Sequence, residues 1–167
     1  KKEDNSFLVS WGSLERRKAE YDDLVNKQIP ANSRDIALAR SYGDLRENHE
    51  YKSAKEMQKV LMRRKEELEA QLTRARGTDF SNARTDVVSI GTLVGVTEAG
   101  KEHREAFTIL GAWDFDADKR VISYLSPIAQ SMLNRKVGDE IEFELDGQKN
   151  RYRIDSIAVA DVVGLGH

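Results

Sequence analysis

Cysteine is absent from this chain, which removes disulfides and thiol chemistry from consideration and fits a reducing cytoplasm. No window of eighteen apolar residues occurs, so neither a membrane-spanning helix nor a membrane partner is expected. Proline is limited to Pro30 and Pro127, and aromatic residues make up 7% of the 167 positions. So few aromatics argue against an aromatic-lined ligand pocket. Neither sign of charge dominates: 27 lysines and arginines face 29 aspartates and glutamates, for a net charge of −2. The total charge is nevertheless high, at 34% of the chain, as expected of thin helices that wet most of their surface. The opening Lys1-Lys2-Glu3-Asp4 has neither an initiator methionine nor a signal pattern, which fits an excised piece of a longer protein.

What the chain does have is helical periodicity. Leu14, Tyr21, Leu24, Ala31, Leu38 and Tyr42 fall on steps of three, four and seven, as do Ala54, Met57, Leu61, Leu68, Leu72 and Ala75. A period near 3.5 predicts two antiparallel helices that supercoil around each other, each arm reaching about 40 Å. Arg17 and Arg64 fall on expected core steps, where local loosening is predicted. Pro30 removes one backbone hydrogen bond from the first arm and should kink or interrupt it. Ser10 or Ser13 can cap that arm, with Glu15 and Arg16 opening its solvated face.

Between the arms runs Gly43-Asp44-Leu45-Arg46-Glu47-Asn48-His49-Glu50-Tyr51, with acids at steps of three. An acidic first turn suits any helix N-terminus, whose free N–H groups and dipole favour negative charge. Here, however, the acids stand at the bend of a hairpin whose arms are longer than a core needs. From Arg34 to Lys65 nine basic residues face five acidic ones, and Lys52, Lys55, Lys59 and Arg63 share one helical face. On its own such a stripe is a solvated face; beside an acidic tip it suits contact with a phosphate backbone while carboxylates are presented to a metal. His49 lies near these acids but is a poor candidate ligand for Mg²⁺, which prefers oxygen.

After Leu72 the helical period stops, and Gly77-Thr78-Asp79-Phe80-Ser81-Asn82 reads as a linker. Short strands are predicted over 87–90, 92–96, 106–110, 121–124, 140–145 and 151–157. Ile141, Phe143 and Leu145 alternate with glutamates, the pattern of a half-buried strand, and Asp146-Gly147 marks a tight hairpin turn. Ser126-Pro127 starts a short helix reaching Leu133, through a serine cap and a proline in its first turn. Trp113 is expected in the core, with exposure as a docking anchor the alternative. The fold class is therefore α+β: a long antiparallel helical hairpin over 1–76, a linker over 77–84, and a small antiparallel sheet with one short helix over 85–163. A piece starting near Arg84 is expected to fold alone.

Two separated motifs carry a family resemblance. They are Ala39-Arg40-Ser41-Tyr42-Gly43-Asp44-Leu45-Arg46-Glu47-Asn48-His49-Glu50-Tyr51 at the tip, and Ser126-Pro127-Ile128-Ala129 followed by Leu133 and Lys136-Val137-Gly138-Asp139-Glu140. From about Leu14 to Ile157 the chain resembles the bacterial Gre transcript-cleavage factors, GreA and GreB. That resemblance implies an N-terminal coiled coil and a C-terminal FKBP-like domain. It also implies a monomeric, cytoplasmic partner of bacterial RNA polymerase that enters the secondary channel. There it would stimulate Mg²⁺-dependent cleavage of backtracked RNA at its 3′ end. Asp44 and Glu47 would be the catalytic pair, with Asp44 holding a Mg²⁺ ion shared with the polymerase and none bound by the isolated protein. Arg40, Arg46, Lys52 and Lys55 would contact RNA or polymerase, and Ser126, Pro127 and Ile128 would dock on the polymerase. The chain departs from the family at His49, where a small residue is usual, and at Ala112-Trp113, where the run is usually more acidic.

On this reading the protein is a co-catalyst rather than an enzyme. The alternative is a related channel-binding protein that regulates or inhibits polymerase without cleavage, standing alone or as a module of a larger factor. The presence of both Asp44 and Glu47 favours stimulation. A prolyl isomerase with a helical chaperone arm would need an aromatic-lined pocket, and Trp113, Phe115 and Tyr124 furnish a poor one.

Overall fold

The computed structural model describes residues 5–43 and 48–162. The chain divides into two compact units. One is Leu14–Ala75, and the other combines the residues from Arg76 onward with those up to Ser13. The mixed α+β class is as expected, with helices in the N-terminal part and a curled sheet in the C-terminal part.

The helical unit is built from α1 (Trp11–Asp23), a π-helical turn (Leu24–Gln28), α2 (Ile29–Arg40) and α3 (His49–Arg74). Bonds between the two arms run in opposite chain directions, so the helices are antiparallel. Arg17 Nη1 donates to Gln71 Oε1 at 2.6 Å, and Asn32 Nδ2 donates to the Ala54 carbonyl at 2.9 Å. Leu24, Leu61 and Leu68 form the apolar seam, with Tyr21 and Ile29 packed beside them. Full burial of each leucine contributes roughly 1.5–3 kcal/mol. At the two arginine steps the seam is bridged by polar contacts. Arg64 reaches Glu20 at 2.7 Å and Glu67 at 3.2 Å, and burial holds the Arg17 guanidinium below its ordinary pKa.

Half of the expected seam in the first arm is displaced by one residue. Leu38 and Tyr42 are 57% and 61% exposed, while Asn32, Ile36 and Ala39 are buried in place of the predicted steps. The π-helical turn is the cause. The Ile29 N–H bonds to the Leu24 carbonyl five residues back, so the helix takes in one extra residue. Leu24, Asn32, Ile36 and Ala39 are then buried with Ile29 partly buried between them, where the predicted steps ran Leu24, Ala31 and Leu38. Pro30 supplies the local reason. It has no N–H, and in a regular helix its ring would press on the carbonyl four residues back. The predicted interruption at Pro30 is thus taken up as a widened turn. In the second arm Met57 also leaves the seam, at 50% exposure.

A prediction follows for this turn. Deleting Asn26 shortens the Leu24-to-Ile29 step from five to four and keeps Ile29, Asn32 and Ile36 in phase, but it forces Pro30 into a regular helix. The single deletion should lower stability by about 3 kcal/mol, and most of that should return when Pro30→Ala is added. Urea unfolding of the two variants checks this; equal losses would mean that the turn does not exist to accommodate the proline.

In the second unit, β1 (Phe7–Ser10) pairs with β2 (Ala75–Thr78) in a two-stranded sheet. A five-stranded sheet follows in the order β5-β4-β3-β7-β6, from β3 (Thr92–Glu98), β4 (Arg104–Leu110), β5 (Val121–Ser123), β6 (Glu140–Leu145) and β7 (Gln148–Val159). All its pairs are antiparallel except β4 with β5, which are parallel, a departure from the all-antiparallel expectation. Asp146 and Gly147 both have positive φ, and Leu145 faces Gln148 across the expected two-residue turn. α4 (Pro127–Met132) lays Ala129 and Met132 into a core with Val94, Phe107, Phe143 and Ile154.

Residues 87–90 form no strand. Val88 is buried and bonds, through its N–H and its carbonyl, to Arg135 and Asn134 just after α4. Nor is 77–84 simply a linker, since β2 occupies its start and Phe80 is buried.

The segment expected to open the helical unit belongs instead with the sheet. The Leu8 carbonyl accepts from Ala112 N–H at 2.7 Å, and the Leu8 N–H donates to the Tyr124 hydroxyl at 3.0 Å. Asp114 completes the attachment. Its carboxylate accepts the Ser10 N–H at 3.0 Å, the Ser10 hydroxyl at 2.5 Å, the Gly111 N–H at 2.8 Å and the buried Ser13 hydroxyl. Ser10 also caps α1 by accepting the Ser13 N–H at 3.1 Å. A piece cut at Arg84, the one expected to fold alone, would keep the five-stranded sheet and its core but lack β1 and both serines.

Candidate functional site

The hairpin end is shaped by how the two helices stop and start. α2 closes at Arg40, the Ser41 N–H reaches back to the Ala37, Leu38 and Ala39 carbonyls, and Gly43 adopts φ +105°, which favours glycine. α3 opens at His49 behind Asn48, whose extended backbone and side-chain oxygen form an N-cap on the Tyr51 N–H at 3.0 Å. The acidic segment joins these two helix ends. Asp44, Arg46 and Glu47 themselves lie outside the described residues.

Of the predicted contact residues, Arg40 is exposed and its guanidinium carbon lies 5.8 Å from the centre of the half-buried Tyr51 ring. Lys52 is exposed on α3, whereas Lys55 is half-buried, its Nζ donating to Gln58 Oε1 at 2.9 Å. Farther along the stripe, Lys59 pairs with Glu56 at 3.5 Å and Arg63 is exposed. His49 and Glu50, in the first turn of α3, are both exposed. Among the described residues no three histidine, aspartate or glutamate side chains gather as a metal site.

The predicted docking residues stand at the start of α4. Ser126 is its N-cap, accepting the Ala129 N–H at 3.3 Å, Pro127 is exposed, and Ile128 packs partly against the sheet core. Trp113 is half-buried edge-to-face on Phe7, with ring centres 5.3 Å apart, so the exposed aromatic of its loop is Phe115.

Two residues with evident work at these places carried no role in the sequence reading. Asn48 was legible as a helix cap, since asparagine directly before an amphipathic helix is a start signal. Asp114 had no such signal, because three of its four donors lie about a hundred positions away in Ser10 and Ser13.

Comparison with known proteins agrees with this architecture. Residues 7–76 match the model described as transcription elongation factor, N-terminal, and residues 83–159 match that for transcription elongation factor, GreA/GreB, C-term. The chain is 37% identical over 156 residues to transcription elongation factor GreA of Treponema pallidum (strain Nichols), covering 93% of this chain and 96% of that protein. The GreA of Nautilia profundicola is 36% identical over 148 residues, covering 89% of this chain and 91% of the relative. A GreA of Borreliella burgdorferi is 34% identical over 151 residues, 90% of this chain but 17% of that much longer protein.

Proposed function

Because the chain belongs to the GreA/GreB family of transcription elongation factors, we propose that it binds bacterial RNA polymerase through the secondary channel. There it stimulates Mg²⁺-dependent cleavage of backtracked nascent RNA. It acts as a cytoplasmic monomer and as a co-catalyst, because the polymerase supplies the rest of the active site. The observation that carries this reading is the position of the acidic segment, which joins the ends of two antiparallel helices at Arg40 and His49.

In this function the helical unit acts as a coiled coil that delivers the tip into the channel. The second unit acts as an FKBP-like docking domain, holding the polymerase through Ser126, Pro127 and Ile128. The donor chemistry at the tip fits a hard cation. Asp44 offers carboxylate oxygen, and Mg²⁺ is commonly held by one or two carboxylates together with substrate phosphate. Asp44 would help to hold the Mg²⁺, which when bound would supply the Lewis acidity that activates water and stabilises the departing oxygen. Glu47 orients the attacking water. Arg40, Arg46, Lys52 and Lys55 hold the extruded RNA or the channel wall by charge.

The test adds the purified chain to a stalled, backtracked polymerase complex carrying end-labelled RNA. Shortened RNA in the presence of Mg²⁺ is expected. Binding without shortening would make the protein a regulator or inhibitor instead.

The basic residues give a second expected result. Arg40→Ala with Lys55→Ala should weaken engagement with backtracked complexes more than with complexes at the RNA end, and should flatten the salt dependence. Equal losses on both complexes would leave the stripe a solvated helical face.

A further inference from the structure

One side chain ties together the two helix ends that bracket the acidic segment. Asn48 Oδ1 accepts the Tyr51 N–H at 3.0 Å, as any N-cap would, while its Nδ2 donates to the Ala39 carbonyl at 2.7 Å. No capping rule requires the second bond. It crosses from the start of α3 to the last turn of α2 and supplies one of the donors that a helix C-terminus lacks. The acceptor is well fixed, since Ala39 is buried and its carbonyl also receives the Tyr42 N–H at 3.2 Å. Arg40 over the Tyr51 ring makes a second link between the same two turns. Serine, threonine or aspartate would cap α3 as well. Among these capping residues aspartate has no donor, serine and threonine donate and accept at a single oxygen, and asparagine alone holds donor and acceptor on two atoms of one planar group, each facing a different helix.

We propose that Asn48 is a positioning residue: its bond to the Ala39 carbonyl fixes how the two helix ends stand to each other, and through them the Mg²⁺ requirement of the cleavage proposed above. This rests on the function proposed above. Partners that orient a metal-binding group typically change metal affinity by about 10- to 100-fold when removed.

Asn48→Asp separates the two bonds, because it keeps the cap on Tyr51 and loses the donor to Ala39. In the cleavage assay this variant should need about tenfold more Mg²⁺ for half-maximal rate, with the rate at saturating Mg²⁺ within about twofold of the parent. Its melting temperature should fall less than that of Asn48→Ala, which lacks the cap as well. A readout independent of cleavage is available because the chain has no cysteine. Spin labels on Ser41→Cys and Glu50→Cys should give one narrow distance in the parent background and a broadened one with Asn48→Asp. An unchanged Mg²⁺ requirement or an unchanged distance distribution would overturn the inference, as would a rate lowered equally at every Mg²⁺ concentration. If the parent itself bound polymerase without shortening RNA, the functional reading would fall and take the cation role of Asn48 with it. The spin-label distances would still report on the tie itself.

Discussion

Asp44→Asn is expected to slow RNA shortening by about a hundredfold while leaving polymerase binding nearly intact. The substitution keeps the shape of the side chain and replaces an anionic oxygen donor by a neutral amide, a weak ligand for Mg²⁺. A hundredfold in rate is about 2.7 kcal/mol of transition-state stabilisation, within what one ligand of a catalytic ion supplies. Docking should survive, because the proposed anchor at Ser126, Pro127 and Ile128 lies in the other unit. The measurement is a single-turnover cleavage rate on backtracked complexes, paired with competition against unaltered chain for polymerase. Cleavage at the parent rate would remove Asp44 from the metal-bearing role. Glu47→Gln should have a smaller effect, since water can partly replace a group that orients water.

The second large effect concerns stability. Asp114→Ala is expected to lower the unfolding free energy by about 3–5 kcal/mol, because it removes the common acceptor of two backbone N–H groups and two hydroxyls. Asp114 and Ser13 are buried, so water cannot readily take the place of the carboxylate. Gly111 is equally confined. A Cβ there would sit 2.6 Å from Val9 Cα and 2.7 Å from the Leu8 carbonyl oxygen, so β1 cannot shift toward this loop to compensate. Chemical denaturation of Asp114→Ala beside Leu68→Ala, a cavity in the helical unit expected to lose 2–5 kcal/mol, checks the assignment by unit. The Asp114 change should release β1 to proteolysis, while the Leu68 change should spare it. A loss below about 1 kcal/mol for Asp114→Ala would mean that the serine bonds do not anchor β1.

Much of this was legible from local pattern. The alternation around Ile141 and Phe143, the Asp146-Gly147 turn and the Ser126-Pro127 helix start are short-range signals, and each became the element its residues predicted. The two motifs that carried the family resemblance are likewise contiguous stretches. Phase along the first helical arm was harder to read. A strict period from Leu24 reaches Ala31 and Leu38, and the extra residue in the π-helical turn leaves no mark on composition or spacing. Its only sequence trace is Pro30, which announces a disturbance without saying whether the helix will kink, stop or widen. β1 has four residues, too few to show a period.

The sequence by itself determined that the chain is an α+β protein of the GreA/GreB family, with paired acids between two helical arms. Such features depend on residue types at fixed short spacings, where backbone geometry dictates the outcome. Tertiary structure alone decided which face of α2 turns inward, that the residues before Leu14 complete the sheet unit, and that Asn48 spans two helix ends. Each of these rests on bonds between different elements or on a single added helical residue. Such choices are settled by which buried donors and acceptors find partners once the elements have packed.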